Sequence, residues 1–108
     1  GVSDGEMAYA VEKLREQNGG IVLVKDGAVL ESMPMPIAGL MSDRSGEWVA
    51  EKLERIHRAA HAHLGISGGV EPVMTLCFMS LPVIPELKLT DMGLFDVTQF
   101  AFIPVEAE

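Results

Sequence analysis

The sequence predicts an α/β (α+β) domain, two helices packed on a mixed, largely antiparallel sheet of about four to five strands. Three observations carry that expectation. Ser3-Asp4-Gly5-Glu6 forms a capping box ahead of apolar residues at helical spacing. Asp26-Gly27 separates two β-branched runs, as in a two-residue hairpin. Residues 49–64 then carry a second amphipathic stripe behind a cluster of N-cap candidates.

Taken in order, Met7, Ala10, Val11 and Leu14 mark one face of the first helix, with Glu12, Lys13, Arg15 and Glu16 on the others. Asn18-Gly19-Gly20 stops it, because glycine tolerates a left-handed cap. The same glycine pair could serve a phosphate loop, but it follows a helix where an anion site precedes one. Ile21-Val22-Leu23-Val24 is the first strand, Lys25-Asp26-Gly27-Ala28 the turn and Val29-Leu30-Glu31-Ser32 the return strand. Met33-Pro34-Met35-Pro36 is expected to end the pairing, since proline brings no N–H to a ladder. Ile37-Ala38-Gly39-Leu40-Met41 reads as an apolar loop that something must cover.

Ser42, Asp43 and Ser45 offer caps for the second helix, whose stripe is Val49, Leu53, Ile56, Ala60 and Leu64, closed by Gly65. Its outer face pairs Glu51 with Arg55 and Glu54 with Arg58 at i,i+4, worth ~0.2–0.5 kcal/mol each. A glycine-rich loop follows over residues 66–72. Residues 73–81 are almost wholly apolar and read as a central strand covered on both faces. Residues 86–90 are extended, Asp91-Met92-Gly93 turns the chain, and residues 100–105 form a last strand.

Composition bounds the function. The 108 residues suit a single domain, 1–108, whereas a TIM barrel takes about 250. With 48% hydrophobic residues the chain can fold on its own core. Sixteen acidic residues against eight basic ones give a net charge of −8, which argues against nucleic acid or an anionic membrane as partner. No apolar stretch approaches the ~18 residues of a membrane span. The single Cys77 cannot form an internal disulfide; a buried, reduced thiol in the cytoplasm is expected. A first residue Gly1 that leads straight into helix signals suggests a piece of a longer chain.

Few residues suggest chemistry. His57 and His61 lie four apart on the second helix, a spacing that can present two imidazoles to one metal ion. Arg58 follows His57 where a metalloprotease motif has Glu. His61-Ala62-His63 spells His-x-His, but on a helix the two rings point about 200° apart. A solvated helix end, helped by the C-terminal dipole, is the plainer account of these histidines. Glu86, Lys88, Asp91 and Asp96 could supply acid–base pairs; a polar turn, with Asp91 bonded to its own backbone, is the plainer account. Four of the seven methionines, Met33, Met35, Met41 and Met92, fall in or near loops and hint at a contact surface. From the residues alone the chain reads as an accessory or interaction domain, with no catalytic residue and no metal ligand.

Longer strings point to a family. Ser3-Asp4-Gly5-Glu6-Met7-Ala8-Tyr9-Ala10-Val11, Gly19-Gly20-Ile21-Val22-Leu23-Val24-Lys25-Asp26-Gly27 and Pro34-Met35-Pro36-Ile37-Ala38-Gly39-Leu40-Met41-Ser42 each resemble the C-terminal domain of bacterial adenine deaminases. So do Met74-Thr75-Leu76, Leu81-Pro82-Val83-Ile84-Pro85-Glu86-Leu87-Lys88-Leu89-Thr90-Asp91 and Gly93-Leu94-Phe95-Asp96. The resemblance implies a parent of the amidohydrolase superfamily that hydrolyses adenine to hypoxanthine and ammonia. It implies a TIM barrel holding a divalent metal, manganese or iron, that lowers the pKa of a bound water. None of those barrel segments is in this sequence, so the resemblance assigns no catalytic residue here and implies an inactive isolated chain. The parent's barrel is the implied partner, adenine its substrate, the cytoplasm its place, and a homo-oligomer is compatible.

Two rigid apolar segments would then contact the barrel or its substrate: Ile37, Gly39, Leu40 and Met41 in the first, Pro85, Glu86, Lys88 and Asp91 in the second. The alternative is a small regulatory module that binds a metabolite or dimerises, with Asn18-Gly19-Gly20 and Gly68-Gly69 facing the ligand.

Overall fold

Ser3 opens the first helix as its side chain predicts: its hydroxyl accepts from the Glu6 N–H at 3.2 Å. The computed structural model describes residues 1–84 and 86–106. The element order is α1 (Asp4–Glu16), β1 (Gly20–Lys25), β2 (Ala28–Pro34), α2 (Gly46–His63), α3 (Pro72–Met79), β3 (Leu87–Thr90), β4 (Gly93–Asp96) and β5 (Ala101–Ile103). Helices and antiparallel sheets make the α+β class. The chain divides into two units, Gly1–Val70 and Glu71–Glu108.

In the first unit, α1 ends where Asn18 and Gly19 take φ of 60° and 95° and the Gly19 N–H bonds the Leu14 carbonyl at 2.8 Å. The hairpin turns on Asp26 and Gly27, both at positive φ, as a type I′ turn requires. β1 and β2 pair antiparallel from Gly20↔Pro34 to Lys25↔Ala28, with a bulge at Leu23/Val24. Pairing therefore runs past Ser32, where the sequence suggested it would stop. In a two-stranded sheet both strands are edges, so Pro34 is tolerated at the end. That extension puts Met33 into the core with Leu23, Ile56 and Ala60, the last two on α2. α2 is capped by the Ser45 hydroxyl, which accepts from the Trp48 N–H. α1 lies along β1 with no residue fully buried; Met7 and Val11 of its apolar stripe stay exposed.

Glu31 joins β2 to α2. Its carboxylate accepts from the Lys52 ammonium at 2.8 Å and from the Arg55 guanidinium at 2.8–2.9 Å. The Lys52 hydrogen bond, then that of Arg55, holds its pKa below the usual carboxylate range against some desolvation. Arg55 thus serves the strand, while the expected Glu54–Arg58 pair is present at 3.6 Å.

The second unit corrects one element. Residues 73–79 of the segment read as a central strand belong to α3. A nearly all-apolar run has no clear period to separate strand from helix. Here the flanks decide: the Glu71 carboxylate caps the Met74 N–H, Pro72 occupies the first turn, and Ser80 closes the end. With that segment helical there is no single sheet under two helices. Among the described residues the strands instead form a hairpin, β1-β2, and a three-stranded antiparallel meander, β3-β4-β5. β4, absent from the sequence reading, is the meander's middle strand. Phe95 stands at its centre, edge-on to Phe100 and Phe102 at 5.3 and 5.2 Å.

Candidate functional site

Residues 37–41 of the first apolar segment close on themselves. The Leu40 and Met41 N–H groups both donate to the Ile37 carbonyl at 3.1 Å, and the Ile37 N–H donates to the Met41 carbonyl at 3.2 Å. Ala38 and Gly39 form the bend at φ of 57° and 73°. Ala38 carries a Cβ in the left-handed region, a strain of about 1–2 kcal/mol that the surrounding bonds must hold. Gly39 leans on Gly19, and the Gly19 carbonyl accepts from the Met35 N–H at 3.3 Å. The loop is therefore fixed to the turn that ends α1. Its tip faces outward: Leu40 is 76% exposed, Met41 56%, and Ile37 is exposed beside them. A shallow groove of about 220 Å³ lies along its base, lined by Pro34, Pro36, Asp43, Arg44 and Trp48, with the Arg44 guanidinium 5.8 Å from the indole centroid.

The second segment resolves differently. Pro85 lies outside the described residues. The Glu86 carbonyl accepts from the Val97 N–H at 2.8 Å and extends the β3–β4 ladder. The Lys88 ammonium donates to the Met79 carbonyl, where a cation meets the negative end of the α3 dipole. Lys88 and Asp91 both line a groove of about 450 Å³ whose apolar lining includes Met79, Leu89, Met92 and Phe102. Thr90 organises the turn between β3 and β4, accepting from the Met92 N–H at 3.1 Å and donating to the Gly93 carbonyl at 2.9 Å.

Asp96 is the buried carboxylate of the set. It accepts from the Thr98 and Gln99 N–H groups, the Thr98 hydroxyl and the Gln99 amide at 2.6–3.1 Å. The Thr98 hydroxyl leads these in holding its pKa low. So placed, it ties the β4–β5 connection and is committed to its own turn.

His61 and His63 sit on α2, as the helical pattern predicts. The His61 Nδ1 is 3.1 Å from the Ile66 carbonyl, and the His63 carbonyl accepts from the Lys25 ammonium at 2.9 Å. Among the described residues no three His, Cys, Asp or Glu side chains are gathered to hold a metal ion. Cys77, expected buried, is exposed, because its segment is a surface helix. Gly19 and Gly20 pack against the protein's own backbone at Gly39 and Met33, so neither lines an open cradle. No helix among the described residues is long and apolar enough to cross a membrane.

What sequence reasoning missed is the helix itself. Leu76 and Phe78 of α3 are 69% and 52% exposed, and Met74 and Met79 are similarly bare. The signal that could have found it was Glu71-Pro72, an N-cap with proline at the first helical position.

The sequence profile of the family described as adenine deaminase C-terminal domain matches residues 1–101. Adenine deaminase 2 of Desulfotalea psychrophila is 69% identical over 107 residues, covering 99% of this chain and 19% of that protein. Adenine deaminase 2 of Carboxydothermus hydrogenoformans is 55% identical over 97% of this chain and 18% of its own length. Adenine deaminase of Geobacillus kaustophilus is 50% identical over 99% and 18%. The chain thus spans 18–19% of the length of these relatives. No solved structure matches.

Proposed function

The chain belongs to the adenine deaminase C-terminal domain family, and from that membership we propose that it is the accessory domain of an enzyme that hydrolyses adenine to hypoxanthine and ammonia. The observation that carries this is the match itself: nearly every residue aligns with a fifth or less of each adenine deaminase. The parent would draw on a divalent metal, manganese or iron, held by residues outside this chain. The donor sets described here do not fit such an ion. Bound in the parent's barrel, such a metal would supply Lewis-acid activation of water near neutral pH.

The domain's own part is to pack on that barrel and complete or cover the site. The 37–41 loop suits this role: it is stiff, tied down through Gly19, and apolar at its exposed tip, so docking it costs little ordering entropy. Lys88 and Asp91, with Glu86 in the same segment, flank a second candidate contact. The free thiol of Cys77 suits a reducing cytoplasm, and purine salvage is the process such an enzyme would serve.

A full-length adenine deaminase carrying this chain, supplied with manganese or iron, is expected to release ammonia from adenine. No release above background from a folded, metal-loaded enzyme would overturn the assignment.

A further inference from the structure

We propose that α3 and the adjoining groove of the second unit form the face by which this domain docks on the catalytic part of its own polypeptide. The proposal deepens the reading above and rests on it. From Pro72 to Ile84 no residue is charged. Among the described residues, α3 makes no extensive packing with β3, β4 or β5, and Lys88 reaches only the carbonyl at its end. An eight-residue helix is too short to persist in water on its own propensity and needs packing. Here Met74, Leu76, Phe78 and Met79 all remain exposed.

The sheet repeats the pattern. Leu89, Met92 and Phe102 open with Met79 onto the 450 Å³ groove. Among the described residues of this unit only Pro72 and Asp96 are buried, whereas the first unit has Leu23, Met33, Ile56 and Ala60. Soluble domains rarely leave so many large apolar side chains of one short segment to water. The face offers no unpaired charge to desolvate along the helix, which favours burial against another apolar surface. The occupant follows from length: the relatives are adenine deaminases of which this chain spans only 18–19%, so over four-fifths of each lies outside it and is joined covalently. A covalent neighbour is held at high effective concentration and needs no separate affinity to reach the face.

Cys77 lies on α3 and reports on it. The test is maleimide labelling of Cys77, read on its own peptide by mass spectrometry, in the full-length enzyme with and without urea. Ammonia release from adenine is assayed on the same native sample. Labelling in the native enzyme is expected to be at least about tenfold slower than in urea, and equally slow at every dilution. Native and urea rates within about twofold of each other overturn the docking. So does protection that disappears on dilution, which would assign the face to a second copy. Free labelling in an enzyme active on adenine defeats the docking alone. A protected Cys77 in an enzyme inert toward adenine leaves the docking standing and defeats the assigned reaction.

Discussion

Gly19 lies against Gly39 so closely that a Cβ on Gly19 would stand 2.5 Å from the Gly39 Cα. The reverse contact is ordinary: a Cβ on Gly39 would meet Gly19 at 3.7 Å. Both residues have positive φ, 95° and 73°. Gly39→Ala should cost only the left-handed strain, about 1–2 kcal/mol. Gly19→Ala adds a backbone clash and should cost more, about 2–4 kcal/mol, while moving the 37–41 loop. Chemical denaturation of the two variants orders them. Equal losses, or a larger one at Gly39, contradict the clamp.

Leu40 and Met41 are exposed, so Leu40→Asp or Met41→Asp should change the stability of this chain by less than about 0.5 kcal/mol. In the full-length enzyme the same substitutions should lower ammonia release or folding yield, because an aspartate would be carried into an apolar contact. Unchanged kinetics and unchanged yield reject the loop as a contact.

The ion pairs of Glu31 give the first unit an acid dependence. Its folded-state pKa is lowered by Lys52 and Arg55, so its contribution to stability is complete above the ordinary carboxylate range and is lost as pH falls through the lowered value. Glu31→Gln should remove about 1–3 kcal/mol near neutral pH and flatten the acid limb of the stability profile. Urea midpoints at pH 7 and pH 3 measure both. A variant that keeps the parent's acid slope would show that Glu31 does not cause it.

Ile56 is 1% exposed at the centre of the first unit's core, and Leu76 is bare on α3. Ile56→Ala should cost about 2–5 kcal/mol through lost burial and a cavity. Leu76→Ala should be nearly silent in the isolated chain and costly only in the full-length enzyme, where α3 is covered. Thermal melts of both variants in both contexts compare these losses. A large loss for Leu76→Ala in the isolated chain would mean that α3 is already buried.

The parts of the fold legible in the sequence are those set by local chemistry. Ser3 and Ser45 cap their helices and Asp26-Gly27 makes its turn because each acts within three or four residues. The 73–81 segment was not legible from hydropathy, because a nearly all-apolar run looks alike on a strand and on an unpartnered helix. β4 is four residues long and owes its existence to β3 and β5, which no local pattern reveals. The candidate contact at Leu40 was visible as an apolar loop. Its rigidity was not, since it depends on Gly19, twenty residues away along the chain. Asp96 looked like possible acid–base chemistry until its four donors were in view.

The most direct measurement is ammonia release from adenine, with manganese or iron present, by the full-length enzyme and by the isolated 108-residue chain at equal concentration. Turnover is expected from the full-length enzyme and none from the isolated chain, which spans 18–19% of the length of its adenine deaminase relatives. Metal-dependent ammonia release by the isolated chain would contradict the assignment of an accessory role.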